Sequence, residues 1–304
     1  MSGTILESIG QLTELTQLNL FSNSWEGIIS EIHFLNLTKL SSLSLSSTTN
    51  LLVLNVSHNW IPSFDLSLIE ADGCQLDPAF PAWLRTQKNL WDITLKNAAI
   101  LDKIPDWLWN LSSQIYNLDL SHNQLSGNLP GSLKFNFPAS IDLSFNLLEG
   151  SLPLWTSVTN LYLRNNSFSG EITIKIFQEM PQLLNLDLSM NFLNGSIPPS
   201  IKKLKNLFLI DLSNNHLSGE ILDYWKSMQN LYIVDLSKNN LSGGIPNSIC
   251  SLPGLKWLQL SNNNLSGDFS SSLKNCSHKF AIDFGDNRFS GIIPKWIGER
   301  FFFQ

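Results

Sequence analysis

Six aspartates, Asp119, Asp142, Asp187, Asp211, Asp235 and Asp283, stand in nearly the same local text, usually DLS. A row of carboxylates at a fixed period is an arrangement that can hold a cation or share protons in general acid–base work. The text around each aspartate recurs as well, so the column repeats because the segment repeats. Solvated, hydrogen-bonded carboxylates are therefore the expected role. Departures from the text carry more information. Tyr162 and Arg164 replace the usual Asp and Ser in one repeat, and Trp257 and Gln259 do so in another, with Lys256 beside them. Aromatic residues and Arg give large contact area and planar bidentate donors, the properties of binding hot spots. Tyr162, Arg164, Lys256, Trp257 and Gln259, together with Asp187, Asp211 and Asp235, are the candidate ligand contacts.

No nucleophile or metal motif accompanies them. The chain has no GxSxG, HExxH, phosphate-loop or kinase text, and its five histidines show no ligand spacing. No catalytic residue, metal or small-molecule cofactor is expected. Charged residues make up 14% of the 304, the net charge is -6, and Lys and Arg form no cluster. Nucleic acid and anionic membrane surfaces are therefore not the expected partners. Cys74, Cys250 and Cys276 form no CxxC pair. Cys250 and Cys276 lie one period apart on equivalent segments, a spacing compatible with a bridge, but free buried thiols are the expectation.

The elements that position these residues follow from internal repetition. Segments beginning at Leu183, Leu231 and Leu255 align without gaps on LxxLxLxxNxLxGxIP. Asn23, Asn123, Asn146, Asn166, Asn191, Asn215, Asn239, Asn263 and Asn287 anchor nine repeats, and Thr48, Cys74 and Ala98 fill the same slot in three more. The period lies within the 20 to 29 residues typical of leucine-rich repeats. Within L-x-L the two leucines point to one side of a short strand, because side chains alternate with period 2. The anchor Asn leaves the strand at a turn, where its amide can satisfy backbone groups, and stacked copies form a ladder. Gly four positions after the anchor implies special torsions or close approach, and the Ile-Pro that follows fits a turn.

Twelve stacked repeats predict one α/β solenoid over residues 1–304, with a concave parallel β-sheet. Residues 46–64 read as an irregular convex-side connection within the second repeat and residues 295–304 as an incomplete one. Trp83, Trp107, Trp109, Trp225 and Trp296 follow the strands at a roughly constant offset and are expected to pack on the convex side. The text as it stands shows no basic, apolar leader and no run of ~18 apolar residues, so it predicts neither export nor a membrane span. No end caps are evident, and poor solubility is expected of the polypeptide alone.

The motif LxxLxLxxNxLxGxIP resembles the plant-specific leucine-rich repeats of receptor-like proteins, receptor kinases and polygalacturonase inhibitors, whose fold is a right-handed superhelix. LNVSHNWIPSF from Leu54, FPAWLRTQKNL from Phe80, IPDWLWNLSSQIYNLDLSHNQLSGNLP from Ile104 and DNRFSGIIPKWIGER from Asp286 resemble the receptor-like proteins related to fungal-xylanase receptors and other pathogen receptors. That resemblance implies a plasma-membrane, extracellular ectodomain that binds a protein or peptide elicitor on its concave face and signals through a co-receptor kinase. It covers essentially the whole chain, though the family's leader, cysteine caps, island and membrane helix are not seen. A soluble inhibitor of a fungal cell-wall hydrolase and a non-functional truncated product remain open alternatives. Asn36, Asn55, Asn110, Asn165, Asn194, Asn240, Asn264 and Asn275 head N-glycosylation sequons, a number that the Asn, Ser and Thr content accounts for largely by chance.

Overall fold

The computed structural model describes residues 1–268, 280–293 and 301–303. The chain forms two compact units, Met1–Leu148 and Glu149–Gln304. In the first, β1 (Gln17–Ile29), β2 (Ser42–Ser47), β3 (Leu68–Asp72), β4 (Asp92–Thr94), β5 (Asn117–Asp119) and β6 (Ser132–Asp142) pair in that order, all parallel. In the second, β7 (Leu154–Tyr162), β8 (Asn185–Asp187), β9 (Leu209–Asp211), β10 (Ile233–Asp235), β11 (Trp257–Gln259) and β12 (Phe280–Asp283) do the same. Eleven of the twelve anchor positions thus follow one sheet strand each, and Asn23 lies within β1. Phe301–Phe303 forms a further strand, β13, beside β12.

Consecutive parallel strands need a crossover of a dozen or more residues, and one repeat supplies it. The crossover first makes a short strand of a second sheet: Ser218–Glu220, Asn240–Gly243, Asn264–Asp268 and Arg288–Ser290 pair in order. It then makes a short helical turn, such as Pro199–Lys203 or Asn247–Cys250, entered through Pro198 or Pro246 in extended conformation. Proline fits there because its fixed φ suits helix entry and its missing N–H has no helical acceptor. Residues 46–64 carry Leu52–Leu54, which pairs with Gly27–Ile29 and with Cys74–Gln75 on this second layer.

Between the layers lies the core. In the second unit Leu186, Leu188, Ile210, Leu212, Val234, Leu236, Leu258 and Leu260 are all buried, as are Leu43, Leu45, Leu118 and Leu120 in the first. Trp83, Trp109 and Trp225 are buried on the crossover side, whereas Trp107 is only half-buried, edge-on to Phe80 at 5.8 Å. Trp107 therefore departs from the expected core role, and Trp296 lies outside the described residues.

The anchor asparagines do what their position implies. In Asn215, Nδ2 donates to the carbonyls of Leu212, Ser213 and, one repeat earlier, Leu188, while Oδ1 accepts the N–H of Leu193. Asn123, Asn146, Asn191, Asn239 and Asn263 repeat this pattern. In Asn287, Nδ2 likewise donates to the carbonyls of Leu260, Phe284 and Gly285, and Oδ1 accepts the N–H of Leu265. Where Thr48 holds the slot, the preceding Ser47 hydroxyl bonds the Trp25 carbonyl instead. Cys74 is buried, and burial pushes its thiol pKa up to about 12, so it packs as an inert thiol. The glycine four places on has positive φ throughout. At Gly195 a Cβ would also come within 2.8 Å of Glu171 Cγ, so torsion and close approach both exclude a side chain.

Cys250 corrects the reading of free thiols: it is buried and disulfide-bonded. Cys276 lies outside the described residues.

Candidate functional site

On the strands β7 to β12 the buried leucines face one way and the residues between them face the other. Register places Tyr162 opposite Asp187, then Asp211, Asp235, Gln259 and Asp283 on successive strands. Parallel strands lie about 4.8 Å apart, so these side chains form a tight row. Each aspartate first closes its own strand end. Oδ1 of Asp187, Asp211, Asp235 and Asp283 accepts the N–H of the residue two positions on, as Asp119 and Asp142 do in the first unit. This explains why the repeat keeps Asp there.

The row is also a local network. Arg164 reaches past the neighbouring strand, with a guanidinium nitrogen 3.9 Å from Asp211 Oδ2. The Gln259 amide, oriented with its nitrogen toward Asp235, donates to Asp235 Oδ2 at 2.5 Å and accepts from the Trp257 indole N–H at 3.2 Å. Arg164, Asp187, Asp211, Asp235, Gln259 and Trp257 are thus brought together in the second unit. Trp257 stands two positions before Gln259, in the column of Ile233 and Ala281, so it does not replace an aspartate. Lys256 precedes the strand and is exposed beside it rather than within the row.

Burial pushes the Asp187 carboxyl up to about 6, with the Asp211 charge adding to the rise and the Ser189 hydrogen bonds and Arg164 opposing it. Burial raises Asp235 and Asp142 too. The consequence for stability follows from proton uptake. Folded Asp187 keeps its proton up to about pH 6, whereas the unfolded chain releases it near 3.8. This group therefore favours the fold most at low pH, and that contribution is lost as pH rises through 3.8 to about 6. Asp187→Asn keeps an acceptor for the Ser189 N–H. It should raise the unfolding free energy by about 1–2 kcal/mol near pH 7, after allowance for partial exposure, and change it little near pH 4. Urea midpoints at both pH values check this, and a larger gain near pH 4 would contradict it.

A second feature escaped the sequence reading. Seven positions before the anchor, Leu184, Phe208 and Tyr232 are exposed, with the Phe208 and Tyr232 rings stacked at 4.9 Å. Leu209, Ile233 and Trp257 follow on the strands themselves, half-buried. The first unit carries a similar pair, Trp91 and Tyr116, edge-on at 6.2 Å. Counting offsets from the anchor as far back as seven would have found both. Elsewhere in the first unit a cavity of about 270 Å³ opens among Val53, Asn55, His58, Pro78, Phe80 and Trp83. Of the sequon asparagines, Asn36, Asn55, Asn110, Asn194, Asn240 and Asn264 are exposed and Asn165 is half-buried, while Asn275 lies outside the described residues.

Comparison with known proteins agrees with this architecture. Models described as leucine rich repeat match residues 156–217 and residues 114–136, 230–252 and 254–276; no enzymatic family is indicated. Receptor-like protein EIX2 of Solanum lycopersicum is 38% identical over 187 residues, 60% of this chain and 18% of that protein. The chain's matches span under a quarter of the length of the first curated relatives. Among solved structures, the plant peptide hormone receptor RGFR1 in complex with RGF2 shares 26% identity at a TM-score of 0.73, covering 99% of this chain and 60% of that one. The Arabidopsis receptor kinase HAESA in complex with the peptide hormone IDA and the co-receptor SERK1 shares 27% identity at a TM-score of 0.60, covering 98% and 62%. No helix among the described residues is long and apolar enough to cross a membrane. In its repeat motif, its stacked strands and its relatives, this chain is similar to the plant leucine-rich-repeat receptor-like proteins.

Proposed function

We propose that this chain is ligand-recognition ectodomain of a plant cell-surface receptor-like protein, and that it meets a protein or peptide on the exposed face of the second unit's sheet. The observation that carries this reading is the break in the repeat at Tyr162 and Arg164. Tyr162 heads a row in which Asp187, Asp211, Asp235 and Asp283 keep the repeat's aspartate, and Arg164 reaches Asp211 two strands away. A structural repeat needs no such departure, whereas recognition does. The RGFR1 and HAESA structures, both bound to peptides and similar over nearly this whole chain, support a peptide-sized ligand. The co-receptor in the HAESA complex supports signalling through a partner kinase. A bridged Cys250 and six exposed sequons suit an oxidising, extracellular setting.

The test uses fragments of plant and fungal secreted proteins displayed on phage and selected on the full chain. Clones should bind the Tyr162→Ala/Arg164→Ala variant at least tenfold more weakly, or ~1.4 kcal/mol. Affinities unchanged by that variant would remove the reading. Inhibition of a polygalacturonase by the chain would favour the inhibitor alternative.

A further inference from the structure

Resting on that reading, we infer that the second unit's sheet face takes an extended peptide segment in which basic side chains alternate with aromatic or large aliphatic ones. Two rows run side by side across the strands. One holds Asp187, Asp211, Asp235 and Gln259, and the other, two positions earlier on the same strands, holds Asn185, Leu209, Ile233 and Trp257, bordered by the exposed Phe208 and Tyr232. Residues two apart on a strand lie about 6.6 Å apart on one face. An extended peptide lying along the boundary sends successive side chains to opposite sides, so every second one meets carboxylates and the others meet apolar surface.

Charge complementarity selects the occupant. Arg164 is the one cation recorded within ion-pair distance of this row among the described residues, at 3.9 Å from Asp211, against three carboxylates. Asp187 has one oxygen occupied, by the Ser189 N–H and hydroxyl, while Asp235 accepts the Ser237 N–H on one oxygen and the Gln259 amide on the other. An incoming guanidinium or ammonium would offset repulsion that the row now carries, whereas an acidic side chain would add to it. Stacked Phe208 and Tyr232, with ring centroids 4.9 Å apart, present a flat face on which an aromatic or aliphatic side chain, or the stem of an arginine, can rest. A half-buried apolar row, bordered by exposed rings and lying beside acidic side chains, fits a partner with both chemistries in alternation better than a wholly apolar one.

Three synthetic decapeptides of equal length, alternating Arg–Phe, Glu–Phe and Arg–Ser, test this by fluorescence anisotropy on the full chain. Arg–Phe should bind, and the other two should bind at least tenfold more weakly. Asp211→Asn/Asp235→Asn and Phe208→Ala/Tyr232→Ala should each weaken Arg–Phe binding at least tenfold. The asparagines retain acceptors for the Ser213 and Ser237 N–H groups, and Phe208 and Tyr232 are exposed, so both variants should fold; circular dichroism verifies this. Equal binding of Glu–Phe, absent binding of Arg–Phe, or Arg–Phe binding indifferent to both variants would overturn the inference. Should the secreted-protein clones still depend on Tyr162 and Arg164, the face remains the ligand surface and only the chemical class is wrong. If those clones ignore Tyr162 and Arg164, the functional reading fails with it.

Discussion

Replacing Asn215 with alanine is expected to lower the unfolding free energy by about 3–5 kcal/mol. The side chain satisfies three carbonyls, of Leu188, Leu212 and Ser213, and one N–H, of Leu193, in a buried turn. Alanine orphans the Leu193 N–H in an enclosed turn, at about 1–3 kcal/mol, and removes three further bonds, worth about 0.5–1.5 kcal/mol each, from carbonyls that keep Asn191, Asn239 or the Met190 N–H as a second donor. Some of that is recovered as the turn relaxes, which sets the lower figure. Because two of the four bonds cross to the preceding repeat, the loss falls on an interface between neighbours and should shift the whole second unit's transition. Urea denaturation followed by far-ultraviolet circular dichroism measures it. A shift as small as that of a surface substitution, under ~0.5 kcal/mol, would mean that the ladder does not hold the repeats together.

Trp225→Ala should cost a comparable amount, about 3–5 kcal/mol, by opening a cavity where a fully buried indole now packs. The companion variant discriminates the cause. The Trp225 Nε1 is buried without a hydrogen-bond partner, unlike Trp25, whose Nε1 donates to the Leu20 carbonyl at 3.0 Å. Trp225→Phe removes an unsatisfied donor while keeping most of the ring volume, so its cost should be about 1 kcal/mol or less. Equal losses for the alanine and phenylalanine variants would show that volume is not what Trp225 contributes.

Most of the fold was legible because the repeat states its own physics many times. L-x-L gives the strand and the buried side, Asn gives the turn, and Gly and Pro give the torsions. Twelve noisy copies fix a register that one copy could not. The residue before each anchor was less legible. It adopts a left-handed φ in most repeats, at His122, Phe145, Met190 and Lys238 as well as at Asn97, Asn165, Asn214 and Asn262. Asn tolerates that conformation readily, but the other four side chains give no local signal of it. The structural use of each aspartate was likewise hidden, since its acceptor role depends on how the strand end bends toward the residue two positions on.

The site was legible only in part. Tyr162 and Arg164 stood out because they break a consensus, whereas Phe208 and Tyr232 occupy a position with no consensus to break. Gln259 was singled out correctly as a departure, but its companion Trp257 was set in the wrong column, because alternation was counted without a register. The Cys250 bridge was misjudged for a related reason, as sequence spacing gives separation along the chain and not the direction of a Cβ.

The central claim, that a protein partner is met on the sheet face of the second unit, is tested most directly by hydroxyl-radical footprinting of the full chain with and without a selected secreted-protein clone. Protection is predicted at Tyr162, Phe208, Tyr232 and Trp257, while Ile174 and Leu222, exposed on the crossover segments, should label equally in both samples. Protection confined to those crossover residues, or to the cavity beside Phe80, with Tyr162, Phe208, Tyr232 and Trp257 unchanged, would contradict the account.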